Sequence, residues 1–463
     1  MHSHDTSAVL PVLQSQPGFD AHHAPDKALL ADCVHCGFCL SSCPTYVLWG
    51  EEMDSPRGRI YMMQKVANGQ APLDAEFGRH MDQCLGCMAC MTACPSGVQY
   101  NKLIEDTRGQ VNRGIPRESS DSLFRRLLFA TFPYPKRLQI LAAPLYLYQR
   151  SGLQRLVRGS GLLRLLPQRL RAMESLLPTV PSLLPRRVAR HHVAQGAGAG
   201  QLAGKARLRV AMLEGCVQQV FFSRVNQATA RVLAAEGCEV IVPEEQSCCG
   251  ALMVHSGVED QALAMARATI ARLEQANADV IVINAAGCGS TMKEYGYLLR
   301  DDPAWAARAA AFSSRCKDIA EVLSELSPQA PRHPLPLRVA YQDACHLRHA
   351  QGIVAEPRQL LGGIPGLQVA EIAEASLCCG SAGVYNLLQP EAAQQLGDRK
   401  VSHLLAARAQ AVVSANPGCL LQLMSGLRRQ GAADMPAFHM VELLDASIRG
   451  VSVEQLLSSS TPG

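Results

Sequence analysis

The stretch RVAMLEGC, residues 209–216, returns as RVAYQDAC at residues 338–345, an offset of 129. Gly237 and Val240 align with Gly366 and Val369 at the same offset. Cys248-Cys249-Gly250 aligns with Cys378-Cys379-Gly380 at 130, and DVIVINAAGC ending at Cys288 aligns with QAVVSANPGC ending at Cys419 at 131. So small a drift is what duplicated domains with minor loop changes produce. Each copy reads strand, helix, strand, Cys-Cys-Gly turn, helix, strand and then a cysteine. The strands are β-branched runs such as EVIVP and VIVIN, and the helices are VEDQALAMARATIARLEQ and QPEAAQQLGDRKVSHLLAARA. This alternation predicts two small α/β domains with largely parallel sheets, over 206–335 and 336–455. Their cysteines fall at strand ends, where α/β sheets place their sites.

Outward from the repeat, the 18 cysteines form a map: eight in residues 33–94, none in 95–215 and ten in 216–419. At 463 residues with 48% hydrophobic and 18% charged side chains, the chain has several domains' worth of core, which excludes a disordered or fibrous protein. The opening MHSHDTSAVLPVLQSQPGFD is polar and carries two prolines, which reads against a secretory signal. Reduced cysteines in a cytosolic chain are usually spent on metals or redox chemistry. The charge-free stretch 409–427 is interrupted by Asn416, Pro417 and Gly418, so no membrane-spanning helix is expected.

Cys33, Cys36, Cys39 and Cys43 are followed by Pro44; Cys84, Cys87, Cys90 and Cys94 are followed by Pro95. Both runs have the two-two-three spacing that binds a cubane of four irons and four sulfides. Three cysteines at two-residue intervals wrap three corners of one cube, and the fourth, starting a helix, faces the other. The spacing thus assigns Cys33, Cys36, Cys39 and Cys94 to one [4Fe-4S] cluster and Cys84, Cys87, Cys90 and Cys43 to a second. A zinc site would leave cysteines over and give the prolines no role. Between the motifs, RIYMMQKVANG and LDAEFGRHMDQ have helical period, which predicts an α-helical ferredoxin domain over 28–112 after a flexible tail, 1–27.

Residues 111–200 hold fifteen Arg or Lys against three acids, a local charge of +12 in a chain of net +4. Proline-broken amphipathic runs such as LQILAAPLYLYQ predict a basic helical linker over 113–205. It reads either as a solvated connector packed on its neighbours or as a surface for an anionic partner or a membrane. GAGAGQLAG, residues 196–204, lacks the preceding strand and following helix of a dinucleotide loop and reads as a flexible boundary.

The quartets Cys216, Cys248, Cys249, Cys288 and Cys345, Cys378, Cys379, Cys419 resemble the CCG cysteine-rich domain in duplicate. Two ferredoxin motifs followed by two CCG domains resemble the iron-sulfur subunit of glycolate oxidase (glycolate dehydrogenase) over nearly the whole chain. The stretches CVHCGFCLSSCPTY, DSPRGRIYMM, CLGCMACMTACPSGVQY, NAAGCGSTMKEYGYLL, LCCGSAGVYNLLQPE and SANPGCLLQL carry the resemblance. The fold class is therefore multidomain α/β plus α. A similar layout occurs in heterodisulfide reductase, anaerobic glycerol-3-phosphate dehydrogenase and lactate-oxidising complexes, which stand as alternatives.

The resemblance implies an electron-transfer subunit, not catalytic alone. Flavin would sit only on partner subunits that turn glycolate into glyoxylate, with a quinone or membrane acceptor downstream. The location implied is cytoplasmic, peripheral on the inner membrane face, and no nucleic-acid partner is expected. Where a heterodisulfide reductase has a fifth cysteine, this chain has Thr291 and Gln422, which puts disulfide chemistry in doubt. Four thiolates per quartet still suffice for a further iron-sulfur cluster or a zinc, and the residues leave open that a quartet holds neither.

Other residues read plainly. Cys238 and Cys316 stand outside the repeat as buried structural thiols. His346 and His349 have valines in the matching places of the first copy, which argues against a shared metal role. His2, His4, His22 and His23 read as disordered surface. Arg57 and Arg59 either touch the cluster-bearing loops or a partner, or cap the following helix.

Overall fold

The computed structural model describes residues 18–180, 182, 187–195 and 206–460. The loop GAGAGQLAG and the histidines at 2 and 4 lie outside the described residues.

The ferredoxin part is built from α1 (Lys27–Ala31), α2 (Pro44–Trp49), α3 (Pro56–Ala67), α4 (Ala75–Gln83), α5 (Ala89–Thr92) and α6 (Tyr100–Gly114). The two periodic stretches between the motifs are α3 and α4. Ser55 Oγ accepts from the Gly58 N–H at 3.0 Å and Asp74 from the Phe77 N–H at 2.9 Å, so each helix starts on a side chain that satisfies an orphan donor. Ile60, Met63, Phe77 and Met81 then close on Leu103 and Ile104 of α6. Cys43 precedes α2 as expected, but no helix begins at Pro95; the chain turns and enters α6 only at Tyr100.

The linker is helical: α7 (Ser119–Thr131), α8 (Pro135–Arg150), α9 (Leu153–Gly159), a 3₁₀ turn (Leu162–Leu165) and α10 (Gln168–Ser175). After it, β1 (His191–His192) pairs antiparallel with the following sheet, so the first α/β domain begins before residue 205. A two-residue edge strand in RRVARHHV carries no alternation to read.

That domain comprises β2 (Leu208–Met212), α11 (Cys216–Phe221), α12 (Ser223–Ala235), β3 (Cys238–Ile241), α13 (Ala251–Val254), α14 (Glu259–Leu273), β4 (Val280–Ile283), α15 (Ala286–Lys293), α16 (Tyr295–Leu298), α17 (Ala306–Ser313), β5 (Cys316–Asp318) and α18 (Ile319–Leu326), with strand order β1-β3-β2-β4-β5. The second has β6 (Arg338–Gln342), a one-turn π-helix (His346–Ala350), α19 (Ala355–Gly362), β7 (Gln368–Ala370), α20 (Tyr385–Leu388), α21 (Pro390–Ala406), β8 (Ala411–Ser414), α22 (Pro417–Arg429), β9 (Ala437–His439), α23 (Met440–Arg449) and α24 (Val453–Ser460), ordered β7-β6-β8-β9 and all parallel. The repeat holds at the level of register. Val210 pairs with Val240 and Val280, and its counterpart Val339 pairs with Val369 and Ala411.

The duplication also runs further than the cysteine pattern. Asp318 and His439 end β5 and β9, and each opens a capping box with Glu321 or Glu442. The offset there falls to 121, because the first copy carries ten more residues between its last cysteine and this strand. Cys316 is buried, as expected, as the first residue of the edge strand β5; Cys238 opens β3 in the same way.

The two α/β domains share one apolar core, in which Val225 and Leu233 of the first meet Leu443 and Leu444 of the second. Glu236, 1% exposed, accepts from the backbone N–H groups of Gln329 and Ala330 and from Arg332 at 2.6 Å, which ties the crossover between domains to the first sheet. Unlike the expected flexible tail, residues 18–26 are held. Asp20 bonds Gln110 and Arg113, and His23 sits against Glu259 and Asp301.

Gly257 fixes how the ferredoxin part seats on the first α/β domain. Its φ is +72°, and a Cβ there would collide with the Arg108 carbonyl of α6. Gly257→Ala should therefore lower the melting temperature by more than Gly152→Ala, which has φ +78° but open space around it. The second variant meets only the left-handed strain of about 1 kcal/mol. Equal melting shifts for both would show that the seating does not depend on this approach.

Candidate functional site

Four groups of thiols define the site. In the ferredoxin part, Cys33, Cys36 and Cys39 line a loop at the surface, with Cys36 exposed. Cys94 is near enough to Cys33 to raise its thiol, after burial itself. Cys84, Cys87 and Cys90 are buried with Cys43, and Cys43 is among the charges felt by both Cys87 and Cys90. Cys43 is felt by Cys39 of its own run as well, so the two runs lie close together.

Burial alone would push the Cys84 thiol up, yet it is held below its usual range. The guanidiniums of Arg59 and Arg108, the Gly86 N–H and the Tyr100 hydroxyl outweigh the loss of water. Arg59 is fully buried. Its Nε donates to the His80 carbonyl at 2.7 Å, and its other nitrogens donate to Thr45 Oγ1 at 3.2 Å, to Asp54 Oδ1 at 3.1 Å and to the Asp54 carbonyl. It neither caps α3 nor reaches a partner. Arg57 does contact the surface loop, donating to the His35 carbonyl at 3.1 Å.

In each α/β domain the four cysteines come from three loops at the carboxyl ends of neighbouring strands. Cys216 begins α11 after β2, and Cys288 lies in the first turn of α15 after β4. Cys345 follows β6, and Cys419 lies in the first turn of α22 after β8. Helix N-termini thus surround each quartet with N–H groups that favour thiolates. The Cys-Cys-Gly turns supply the rest; the glycines adopt φ of +83° and +86° and donate N–H to Cys248 and Cys378, each at 3.4 Å. Cys216 Sγ lies 3.5 Å from Cys248 Sγ, and Cys345 Sγ lies 3.9 Å from Cys378 Sγ. Within each quartet one thiol is driven well down: Cys249 by hydrogen bonds from Cys248 and Cys288, and Cys379 by those from Cys378 and Cys419. The donor partners are pushed up correspondingly. The second quartet alone has a buried lysine beside it, Lys400, anchored on the carbonyls of Glu374 and Ala375.

Both quartets open on one cavity of about 370 Å³. Its far wall is apolar linker: Phe132, Leu138, Leu141, Leu145, Met173 and Leu176. His255, largely buried and with its imidazole pushed down to about 4 by loss of water, also lines it. Glu105 lies 3.3 Å from His255, its carboxyl pushed up to about 7 by burial.

Cys87 of the ferredoxin part belongs to one apolar cluster with Cys345 and Cys378 of the second quartet, in which they pack with Leu85, Ala89 and Leu377. His346 and His349 hold that junction. His346 Nε2 donates to the Gly86 carbonyl at 2.8 Å, and its Nδ1 lies 2.8 Å from Ser290 Oγ. His349 Nε2 donates to the Ser376 carbonyl at 2.9 Å, and its Nδ1 lies 2.8 Å from Thr92 Oγ1. Both ring nitrogens of each histidine are engaged in these contacts, and that bridging role needed the fold to be seen. Sequence reasoning also missed Arg108, Lys400 and Glu105, which sit on ordinary helical stretches without any motif, and His255 in the turn after α13.

Fold and site together define an iron-sulfur redox protein of the dicluster type with paired cysteine-rich domains. Family models agree: a 4Fe-4S dicluster domain matches residues 29–98, the cysteine-rich domain matches 210–293 and 339–424, and the "Glycolate oxidase iron-sulfur subunit, linker region" matches 120–177. The chain is 41% identical to the probable glycolate oxidase iron-sulfur subunit of Bacillus subtilis, over 90% of this chain and 94% of that protein. It is 33% identical to the glycolate oxidase iron-sulfur subunit of Escherichia coli, over 91% and 95%. Lactate utilization protein A of Exiguobacterium is 31% identical over 52% of this chain and 98% of its own length. The chain belongs to the family of glycolate oxidase iron-sulfur subunits, components of an oxidoreductase.

Arg59→Met should destabilise the chain by about 3 kcal/mol, because it leaves the Asp54 carboxylate buried without its guanidinium. Urea unfolding of the purified variant measures this. Arg59→Lys, which keeps the charge but not the fork, should recover only part of the loss.

Proposed function

We propose that this chain binds two [4Fe-4S] clusters, one on Cys33, Cys36, Cys39 and Cys94 and one on Cys84, Cys87, Cys90 and Cys43. It would relay electrons from flavin-bearing partner subunits, where glycolate becomes glyoxylate, to a quinone. The donor chemistry fits: all eight groups are thiols at the required spacing, and Arg59, Arg108 and backbone N–H groups stabilise sulfur anions there. Bound clusters supply one-electron acceptance and release. The chain's own residues hold them at two depths, the first at the surface loop and the second in the interior.

The observation that carries this reading is the shared packing of Cys87 with Cys345, which makes the buried ferredoxin group continuous with the second quartet. Val34 and Phe38, each 68% exposed, flank Cys36 and suit contact with an electron-donating partner. At the other end, the apolar walls of the cavity suit a lipophilic acceptor such as a quinone. The two CCG quartets suit a further iron-sulfur cluster or zinc. Such an acceptor favours a cytoplasmic protein, peripheral on the inner membrane face; among the described residues, no helix is long and apolar enough to cross a membrane.

A second reading, oxidation of lactate, is favoured by the relatives named for lactate utilization. Thiol-disulfide chemistry is disfavoured by Gln422, whose side chain is locked to Asn386 and the Ala393 carbonyl where a fifth cysteine would stand.

In the assembled complex, Cys87→Ser should leave flavin reduction by glycolate intact while dye reduction beyond this chain falls by orders of magnitude. Iron analysis should show about eight irons per wild-type chain if only the ferredoxin motifs are loaded, and about sixteen if both quartets also carry cubanes. Wild-type dye reduction by the variant would refute the relay.

A further inference from the structure

The linker exposes far more apolar surface than a solvated connector needs. Among the described residues, seventeen large hydrophobic side chains are exposed, and twelve of them lie between Leu123 and Leu170. Leu165 is 81% exposed, Ile140 72% and Leu156 65%. Isolated exposed leucines are ordinary, but a run of them on adjoining elements marks an interaction surface. The charge pattern says what kind. Residues 123–171 carry ten Arg or Lys and no acid, in a chain whose remainder is acidic. Arg125, Arg158 and Arg169 are paired to Asp121 or Glu174, but none of Arg126, Lys136, Arg155, Arg164 and Arg171 has an acidic partner among the described residues. All five are exposed.

On α8 the arrangement is periodic. Lys136, Arg137, Ile140, Leu141, Leu147 and Arg150 are exposed, while Leu138 and Ala142 are buried against Val180 of the linker and Val220 of the first cysteine-rich domain. The outer stripe therefore presents leucine and isoleucine flanked by cations, and α9 and the 3₁₀ turn extend it with Leu153, Leu156, Leu162 and Leu165. Apolar side chains at the level of a cationic rim suit the boundary between acyl chains and anionic headgroups. A protein partner would have to bring a matching acidic and apolar face; an anionic bilayer supplies both components without further design.

We propose that the surface of α8, α9 and the 3₁₀ turn docks the chain on an anionic lipid bilayer, with Ile140, Leu156 and Leu165 entering the interface and Arg155 and Arg164 on the headgroups. The inference deepens the peripheral placement proposed above. Leu141 is both exposed on this surface and part of the cavity wall, so the docked face is also the face through which a lipophilic acceptor reaches the quartets.

Co-sedimentation of the full chain with vesicles tests this. Wild type should pellet with vesicles containing phosphatidylglycerol and bind pure phosphatidylcholine at least about tenfold more weakly. Leu156→Glu and Leu165→Glu, both on exposed positions, should each weaken binding to the anionic vesicles by about tenfold with unchanged melting temperature. Arg155→Ala and Arg164→Ala should each weaken it by roughly fivefold. Failure of wild type to bind anionic vesicles, or unchanged binding by both leucine variants, overturns the proposal. So does concentration-dependent self-association in solution that Leu156→Glu abolishes, since the face would then be occupied by a second copy. Glycolate-driven dye reduction by the complex carrying Leu156→Glu separates the two readings: retained activity with lost vesicle binding supports docking and leaves the relay intact, whereas a wild-type complex whose flavin is reduced by glycolate but which passes no electrons to the dye would strike the relay alone.

Discussion

Thiols crowded into a dry interior resist ionising, and thiolates crowded there repel one another, so the three buried cysteine groups depend on positive charge or N–H donors brought to them by the fold. The answers differ along the chain. In the ferredoxin part, Arg59 and Arg108 deliver full cations to Cys84, and the whole neighbourhood of Arg59 is organised to keep that cation buried: Asp54 balances it, Thr45 and two carbonyls accept from it, and α4 ends over it. In the cysteine-rich domains the donors are helix first turns and the N–H groups of the Cys-Cys-Gly turn. These cost no side chain and can therefore be duplicated along with the strand order.

Duplication did not leave the two quartets alike. Lys400 stands beside Cys378 and Cys379, whereas the first quartet has His255, which burial keeps neutral. The second is also the quartet that packs against Cys87. The junction between them is made by ring nitrogens and one phenol: His346 on Gly86, His349 on Thr92 and Tyr385 Oη on the Gln83 carbonyl at 3.1 Å. None of these contacts contributes a thiol; each fixes the separation of groups that do.

Much of this architecture was legible before any coordinates. β-branched runs closing on cysteines at nearly constant offset gave away the repeat, and the two-two-three spacing gave away the dicluster ferredoxin domain, because covalent reach limits which corners one loop can wrap. What escaped notice had physical reasons. β5 and β9 are three residues long and follow insertions of unequal length, so neither alternation nor offset marks them. β1 is two residues of an arginine- and histidine-rich segment. The His23 contact with Glu259 joins positions 236 apart, and Lys400 lies on a helix whose pattern is satisfied by its apolar neighbours. Long-range pairings of single polar side chains leave no periodic trace.

The linker shows the same division from the other side. Its helical period was readable, but the period alone could not say which face meets protein. The structure turns Leu138, Ala142 and Leu145 inward over the quartets, where Leu138 and Leu145 become cavity wall, and leaves an equally apolar outer stripe uncovered. A helix needing only to span two domains would be polar on its free face, since exposed leucine gains nothing for folding and invites aggregation. Both faces of α8 are apolar, and the cations gather on the outer one. The fold therefore accounts for the inner face, and the outer face answers to something beyond the chain.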